Sequence, residues 1–223
     1  MAPEDFTGQW VSLVTEDWRY RMITPIEGDY ASVPVNPIGR KLADNWDPAK
    51  DEADGLQCKA YGAAAIMRMP TRVRILWTDD ETLKIETDAG MQTRVFYFQE
   101  PKTRGGDWPG VSRASWMITG GRGPVPGGGN GGGAVPARAV GTLKVTTTQL
   151  KPGYLRKNGV PYSDKTVVTE YYDRTDEPNG ESFLVVTAVV EDPVYLNQPF
   201  ITSSHFKKQS DQSGWNPTPC SAR

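Results

Sequence analysis

The sequence predicts an all-β fold, an antiparallel up-and-down β-barrel of about eight to ten strands with long loops and at most one short helix. Apolar and polar residues alternate repeatedly along the 223 residues, whereas a 3.6-residue period is sustained nowhere. A meander of that many strands also leaves exposed edges unless it closes on itself, which favours a barrel over an open sheet.

The elements follow in order. "GQWVSLV" is the first strand. Residues 28–60 break the alternation and are expected to be irregular, with one possible short helix around "PIGRKLADNW", where Pro37 suits a first turn and Trp46 packs inward. "RVRILWTDDETLKIETD" reads as a hairpin: Val73, Ile75 and Trp77 share a face, Asp79-Asp80-Glu81 turns the chain, and Leu83 and Ile85 resume the pattern. "MQTRVFYFQ" then sets Arg94, Phe96 and Phe98 on one face and Val95 and Tyr97 on the other. "SRASWMI", "GTLKVTTTQL", "TVVTEYYDR", "SFLVVTAVVED" and "FITSSHFKK" complete the strands, rich in the β-branched and aromatic residues that suit a pleated surface.

Two connections stand out. Residues 119–138, "TGGRGPVPGGGNGGGAVPAR", have the composition of a flexible linker. Strand patterns flank them closely, so they read as a flexible Gly-rich loop inside one domain spanning 1–223. No "GxxxxGK[ST]" follows, which sets aside a phosphate-binding loop. In "KPGYLRKNGVPYSDK", Asn158-Gly159 supplies the positive backbone angles of a tight turn, while Pro152-Gly153 and Pro161 stiffen its approaches. It is expected to be an ordered excursion at one rim, with Tyr154, Arg156 and Tyr162 covering the mouth of a cavity.

Charge and cysteine content narrow the function. The 25 Lys and Arg are matched by 27 Asp and Glu, and no basic stripe runs along the chain, so nucleic acid is not an expected partner. No apolar run approaches the roughly 20 residues of a membrane-spanning helix. "MAPEDFTGQW" lacks the basic start and apolar core of a signal peptide. The chain opens directly on structural residues, as an exported protein does once a start Met replaces its leader; a secreted or periplasmic location is expected. Cys58, Cys220 and the lone His205 are too few for a zinc site, and neither a metal nor a cofactor is expected. The two cysteines are either separate thiols or a disulfide. A bridge would hold a C-terminal tail with little else to anchor it, worth up to about 5 kcal/mol in the chain-entropy model.

Gly8-Gln9-Trp10 resembles the Gly-x-Trp of the first lipocalin strand, where the Trp plugs the closed end of the barrel. The wider pattern of "LKIETDAGMQTRVFYF", "TLKVTTTQLKPGYLRKNGVPYS", "TVVTEYY", "VVEDPVYLNQPF" and "WNPTPCSAR" resembles secreted bacterial lipocalin-like barrels of calycin type over most of the chain. That resemblance implies the fold and export and leaves the activity open. More distant members often carry Asp and His where this chain has Arg156 and Tyr162. If those form a catalytic pair, this chain lacks it.

The chemistry-bearing residues point to a small-molecule site. In "EDWRYRM", Trp18 and Tyr20 either stack on a ligand beside Arg19 or Arg21, or form an amphipathic strand end. Arg94 shares a face with Phe96; pointing inward, it needs Glu86, Asp88 or Glu170 as partner and joins a ligand site only if that face lines a cavity. Glu170 is placed opposite Val168, where burial would raise its pKa and fit it for acid–base work. His205 is the single imidazole, and no G-x-S-x-G elbow accompanies it. The expected function is binding of a small, partly aromatic or apolar ligand in the barrel cavity by Trp18, Tyr20, Arg94, Phe96, Tyr154, Arg156 and Tyr162. The alternative is a cofactor-free hydratase, isomerase or lyase using Glu170, Asp88, Tyr162 and His205 in the same cavity.

Overall fold

The computed structural model describes residues 2–119 and 140–222; most of the Gly-rich stretch expected to be flexible lies outside them. The strands in chain order are β1 (Gly8–Leu13), β2 (Arg72–Asp79), β3 (Thr82–Thr87), β4 (Thr93–Tyr97), β5 (Val111–Thr119), β6 (Val140–Thr148), β7 (Gly153–Tyr154), β8 (Pro161–Tyr162), β9 (Val167–Asp176), β10 (Ser182–Glu191) and β11 (Phe200–Lys208). Nine of these close into a barrel in the order β1-β11-β10-β9-β6-β5-β4-β3-β2, and β7 with β8 forms a separate ribbon. Each of the nine barrel strands grows from a segment that alternates in the sequence.

The all-antiparallel expectation needs correction. β4 and β5 run parallel, Phe96 opposite Ser112 and Tyr97 opposite Arg113. Residues 98–110 cause this, because they cross from one end of the barrel to the other. The Phe98 amide donates to the Glu81 carbonyl at the β2–β3 turn, and Asp107 bridges beside Leu150, beyond the far end of β6. β5 therefore starts at the end where β4 started. The remaining neighbours in the barrel pair antiparallel.

The expectation of at most one helix is also corrected. Among the described residues there are three short helices, α1 (Trp18–Arg21), α2 (Pro37–Ala43) and α3 (Pro48–Ala53), and two 3₁₀ turns at Lys59–Tyr61 and Ile66–Arg68. α2 lies where "PIGRKLADNW" placed it; Asn36 Oδ1 accepts the Gly39 amide at 2.9 Å, and Pro37 opens the first turn. α3 uses the same device, with Asp47 Oδ1 accepting the Ala49 amide at 2.9 Å and Pro48 first. Helices of one or two turns are too short to show a 3.6-residue period, which is why periodicity missed α1 and α3.

The barrel interior is packed by its own side chains. Trp10, Val73, Ile75, Leu83, Ile85, Phe96, Leu143, Val145, Tyr172, Leu184, Val186 and Phe206 form one buried cluster, each contributing about 2 kcal/mol of hydrophobic burial. At the lower end, the Trp10 indole donates to the Phe6 carbonyl at 2.9 Å, and Phe6 stacks on Trp116 at 5.7 Å between centroids. At the upper end, the long β1–β2 connection folds back so that Ala60, Tyr61, Ile66 and Met67 close the core from above. A second buried cluster, including Tyr30, Val35, Leu155, Val160, Tyr162 and Leu196, joins that connection to the β6–β9 and β10–β11 loops. The two ends thus differ: an aromatic plug below and a folded cap above.

The C-terminal tail runs back along the outside. Arg74 lies over the Trp215 ring at 3.8 Å, Thr218 bridges to Ala89, and Cys220 is bonded to Cys58. This disulfide is the one expected from the two-cysteine composition, and it points to an oxidising, extracytoplasmic environment. Among the described residues no helix is long and apolar enough to cross a membrane.

Candidate functional site

Three places concentrate polar chemistry, and they are separate. The first is inside the barrel. Val168, Glu170 and Tyr172 are all buried on the inner face of β9, so the reading that set Glu170 opposite Val168 is corrected; residues two apart on a strand share a face. Glu170, 0 % exposed, accepts from Arg94 Nη1 at 2.9 Å and from Nη2 at 2.5 Å, and Arg94 is 1 % exposed. Arg94 Nη2 also donates to Thr147 Oγ1 at 3.2 Å, and the Tyr172 hydroxyl donates to Glu170 at 3.2 Å. Burial works against the Arg94 charge, but the Glu170 carboxylate outweighs it and holds the guanidinium above its ordinary pKa. Phe96 lies beneath, its ring 5.0 Å from the Arg94 guanidinium and edge-on to Tyr172. The pair forms a two-pronged ion pair walled by core side chains.

The second place is a pocket of about 270 Å³ at the upper rim. α1 supplies Tyr20 and Arg21, the chain after it Met22, Thr24 and Pro25, the 3₁₀ turns and their surroundings Tyr61, Ala65, Arg68, Met69 and Pro70, and the rim excursion Leu155, Arg156 and Lys157. α1 is a single turn preceded by Asp17 at its N-cap, whose φ of 50° sits in the left-handed region. Arg21 fixes it in place: Nε donates to the Arg68 carbonyl at 2.7 Å, Nη2 to Ser12 Oγ at 3.0 Å, and Nη1 pairs with Glu16. On the facing wall Leu155 and Val160 close a tight turn through a 2.8 Å backbone bond. Asn158 Nδ2 donates to the Asp29 carbonyl at 2.9 Å, and Gly159, at φ 82°, lies so close to Trp46 that a Cβ there would sit 2.4 Å from its side chain. The excursion "KPGYLRKNGVPYSDK" is therefore ordered, as expected, but of the Asn158-Gly159 pair only Gly159 takes a positive φ.

The third place, a cleft of about 450 Å³ beside α2 and α3, is lined by Trp46, Asp51, Lys59, Tyr154 and Tyr162 among others. Asp51 accepts from Lys59 Nζ at 2.6 Å, the Tyr154 hydroxyl at 2.7 Å and the Trp46 indole at 3.1 Å. Burial, followed by that bond to Asp51, raises the Tyr154 pKa, and burial alone accounts for most of the rise at Tyr162.

Of the residues singled out in the sequence, Tyr20 and Arg156 meet in the rim pocket, the guanidinium 4.5 Å from the ring centroid. Tyr154 and Tyr162 line the third place instead, Arg94, Phe96 and Glu170 lie in the barrel core, and Trp18 is 61 % exposed and does not line the rim pocket. Asp88 ties β3 to β2, accepting from Thr71 Oγ1 at 2.7 Å and from the Arg72 and Ala89 amides. His205 lies on the outer face of β11, its Nδ1 3.1 Å from Thr15 Oγ1. Tyr61 and Arg68 were missed; the signal was Arg68 alone within the apolar run "AAAIMRMP", which buries it. Among the described residues no group of three or more His, Cys, Asp or Glu is placed to hold a metal ion. No protein-family model matches the chain, nor does any curated protein or solved structure.

Proposed function

We propose that this is an exported, lipocalin-like barrel that binds one small, partly aromatic or apolar molecule, and that the ligand sits in the upper-rim pocket rather than on the barrel axis. The observation that carries this reading is the composition of the pocket wall. Tyr20, Met22, Tyr61, Met69 and Leu155 offer apolar and aromatic surface beside a few fixed polar groups, the mixture that small-molecule sites use. Pliable methionines adapt to an irregular ligand, and the volume suits a compact one. The Cys58–Cys220 bond supports export.

Native mass spectrometry of the purified protein after exposure to a metabolite extract tests the reading. The expected result is retention of one small molecule per chain, weakened in Tyr20→Ala. A chain that leaves the extract at its own mass contradicts it. Conversion of the retained molecule during incubation would favour the alternative of a cofactor-free hydratase, isomerase or lyase.

A further inference from the structure

The rim pocket gathers three arginines, Arg21, Arg68 and Arg156, on a wall that holds no Asp or Glu among the described residues. Glu16 pairs with Arg21, and Asp17 lies 3.1 Å from Arg68. Arg156 makes its hydrogen bonds to neutral groups, Nη1 donating to the Ala31 carbonyl at 2.7 Å and Nη2 to Ser32 Oγ at 2.8 Å, while the carboxylates of Asp17 and Asp29 favour its charge without pairing directly with it among the described residues. Yet Arg156 is 5 % exposed and Arg68 8 %. A guanidinium offers five N–H donors, and here Arg156 Nε and Arg68 Nη1 are buried without an acceptor among the described residues.

A buried cation with unmet donors gains from any acceptor or counter-charge that reaches them. Burial, then the charge of Arg156, pulls the Arg68 pKa down to about 10, although Asp17 acts in the other direction, and both arginines line the pocket. An anion bound beside them would answer the charge of Arg156 and reach the open donors, and the aromatic and thioether walls would take the rest of the molecule. Resting on the binding role proposed above, we infer that the ligand is a small organic anion, a carboxylate or phosphate ester on an apolar body, whose charged end is received by Arg68 and Arg156.

Calorimetric titration with two matched pairs of probes, benzoate against benzamide and phenyl phosphate against phenol, tests this. At least one anion is expected to bind about tenfold more tightly than its neutral partner, a difference one charge-assisted pair can supply. The stronger of the two anions identifies the head group. Added salt should narrow the gap, since the interaction is between charges. Arg156→Gln should bring charged and neutral probes to within about twofold, whereas Arg156→Lys, which keeps the charge but loses the planar fork, should retain part of the preference. Equal affinity for charged and neutral probes overturns the anion inference while leaving the pocket as a binding site. Failure of all four probes to bind overturns it together with the binding reading. So does an anion preference untouched by salt and by both Arg156→Gln and Arg68→Gln, which would place the anion elsewhere.

Discussion

Glu170 is fully withdrawn from water, and Arg94 and the Tyr172 hydroxyl stand in for the solvent it lost. Removing one member of such a pair leaves the other as an uncompensated buried charge, a loss of about 3–5 kcal/mol. Glu170→Gln is therefore expected to lower the urea midpoint steeply, while Arg94→Met combined with Glu170→Leu regains most of it; a Glu170→Gln protein that unfolds at the wild-type midpoint contradicts this. Period-two alternation showed that Arg94 shares a face with Phe96, but it offered three carboxylates as partners. Choosing Glu170, 76 residues away, required the closed barrel. Asp192 governs the rim in a similar way, accepting from the Ser163 amide, Thr166 Oγ1 and the Val194 and Tyr195 amides. Burial acts to raise its pKa, and these donors outweigh burial and hold it below the ordinary value. Because the folded pKa is the lower one, this stabilisation is complete above the unfolded carboxylate pKa of about 4 and is lost as pH falls through the folded pKa. Asp192→Asn should lower stability by about 2 kcal/mol near neutral pH and flatten the acid limb of the stability curve. An acid limb identical to that of the wild type would show that the carboxylate is not what responds.

The elements were legible where they repeat a period and illegible where they are shorter than one. All nine barrel strands lie on alternating segments, because each buries one face and exposes the other. α3 had a readable start in Asp47-Pro48, the same kind of cap that marked α2 at Asn36-Pro37, yet its six residues carry no apolar stripe. The parallel pairing of β4 with β5 follows from the path of residues 98–110, for which alternation says nothing. The tail is an element held from outside: the disulfide closes a loop of 162 residues in sequence separation, and the Ser221 amide donates to the Tyr61 hydroxyl at 3.3 Å. Replacing Cys58 and Cys220 by Ser is expected to reduce stability by up to about 5 kcal/mol, read as the shift between denaturation curves. Since Tyr61 and Ala89 line the rim pocket and both touch the tail, the same variant should bind ligand less tightly. Unchanged affinity in a folded double variant would detach the tail from the site.

At the scale of the whole molecule, the candidate site lies where separate connections meet over one end of a filled barrel. Sequence reasoning reached Tyr20 and Arg156 because aromatic and guanidinium side chains stand out in short polar stretches. It could not reach Tyr61, which looks like an ordinary core residue until the chain around residues 61–70 is seen to fold between α1 and the rim excursion. The packed interior, with Trp10, Phe96, Tyr172 and Phe206 in one cluster, moves the expected ligand from the barrel axis to that rim. The methionines allow a direct test, because Met22 and Met69 line the rim pocket while Met117 lies towards the opposite end on β5. Methyl spectra of methionine-labelled protein, recorded before and after exposure to the metabolite extract, locate whatever binds. The expected result is movement of the Met22 and Met69 signals with Met117 unchanged; movement of Met117 with Met22 and Met69 still, or no movement at any of the three, would contradict a rim-pocket binding protein.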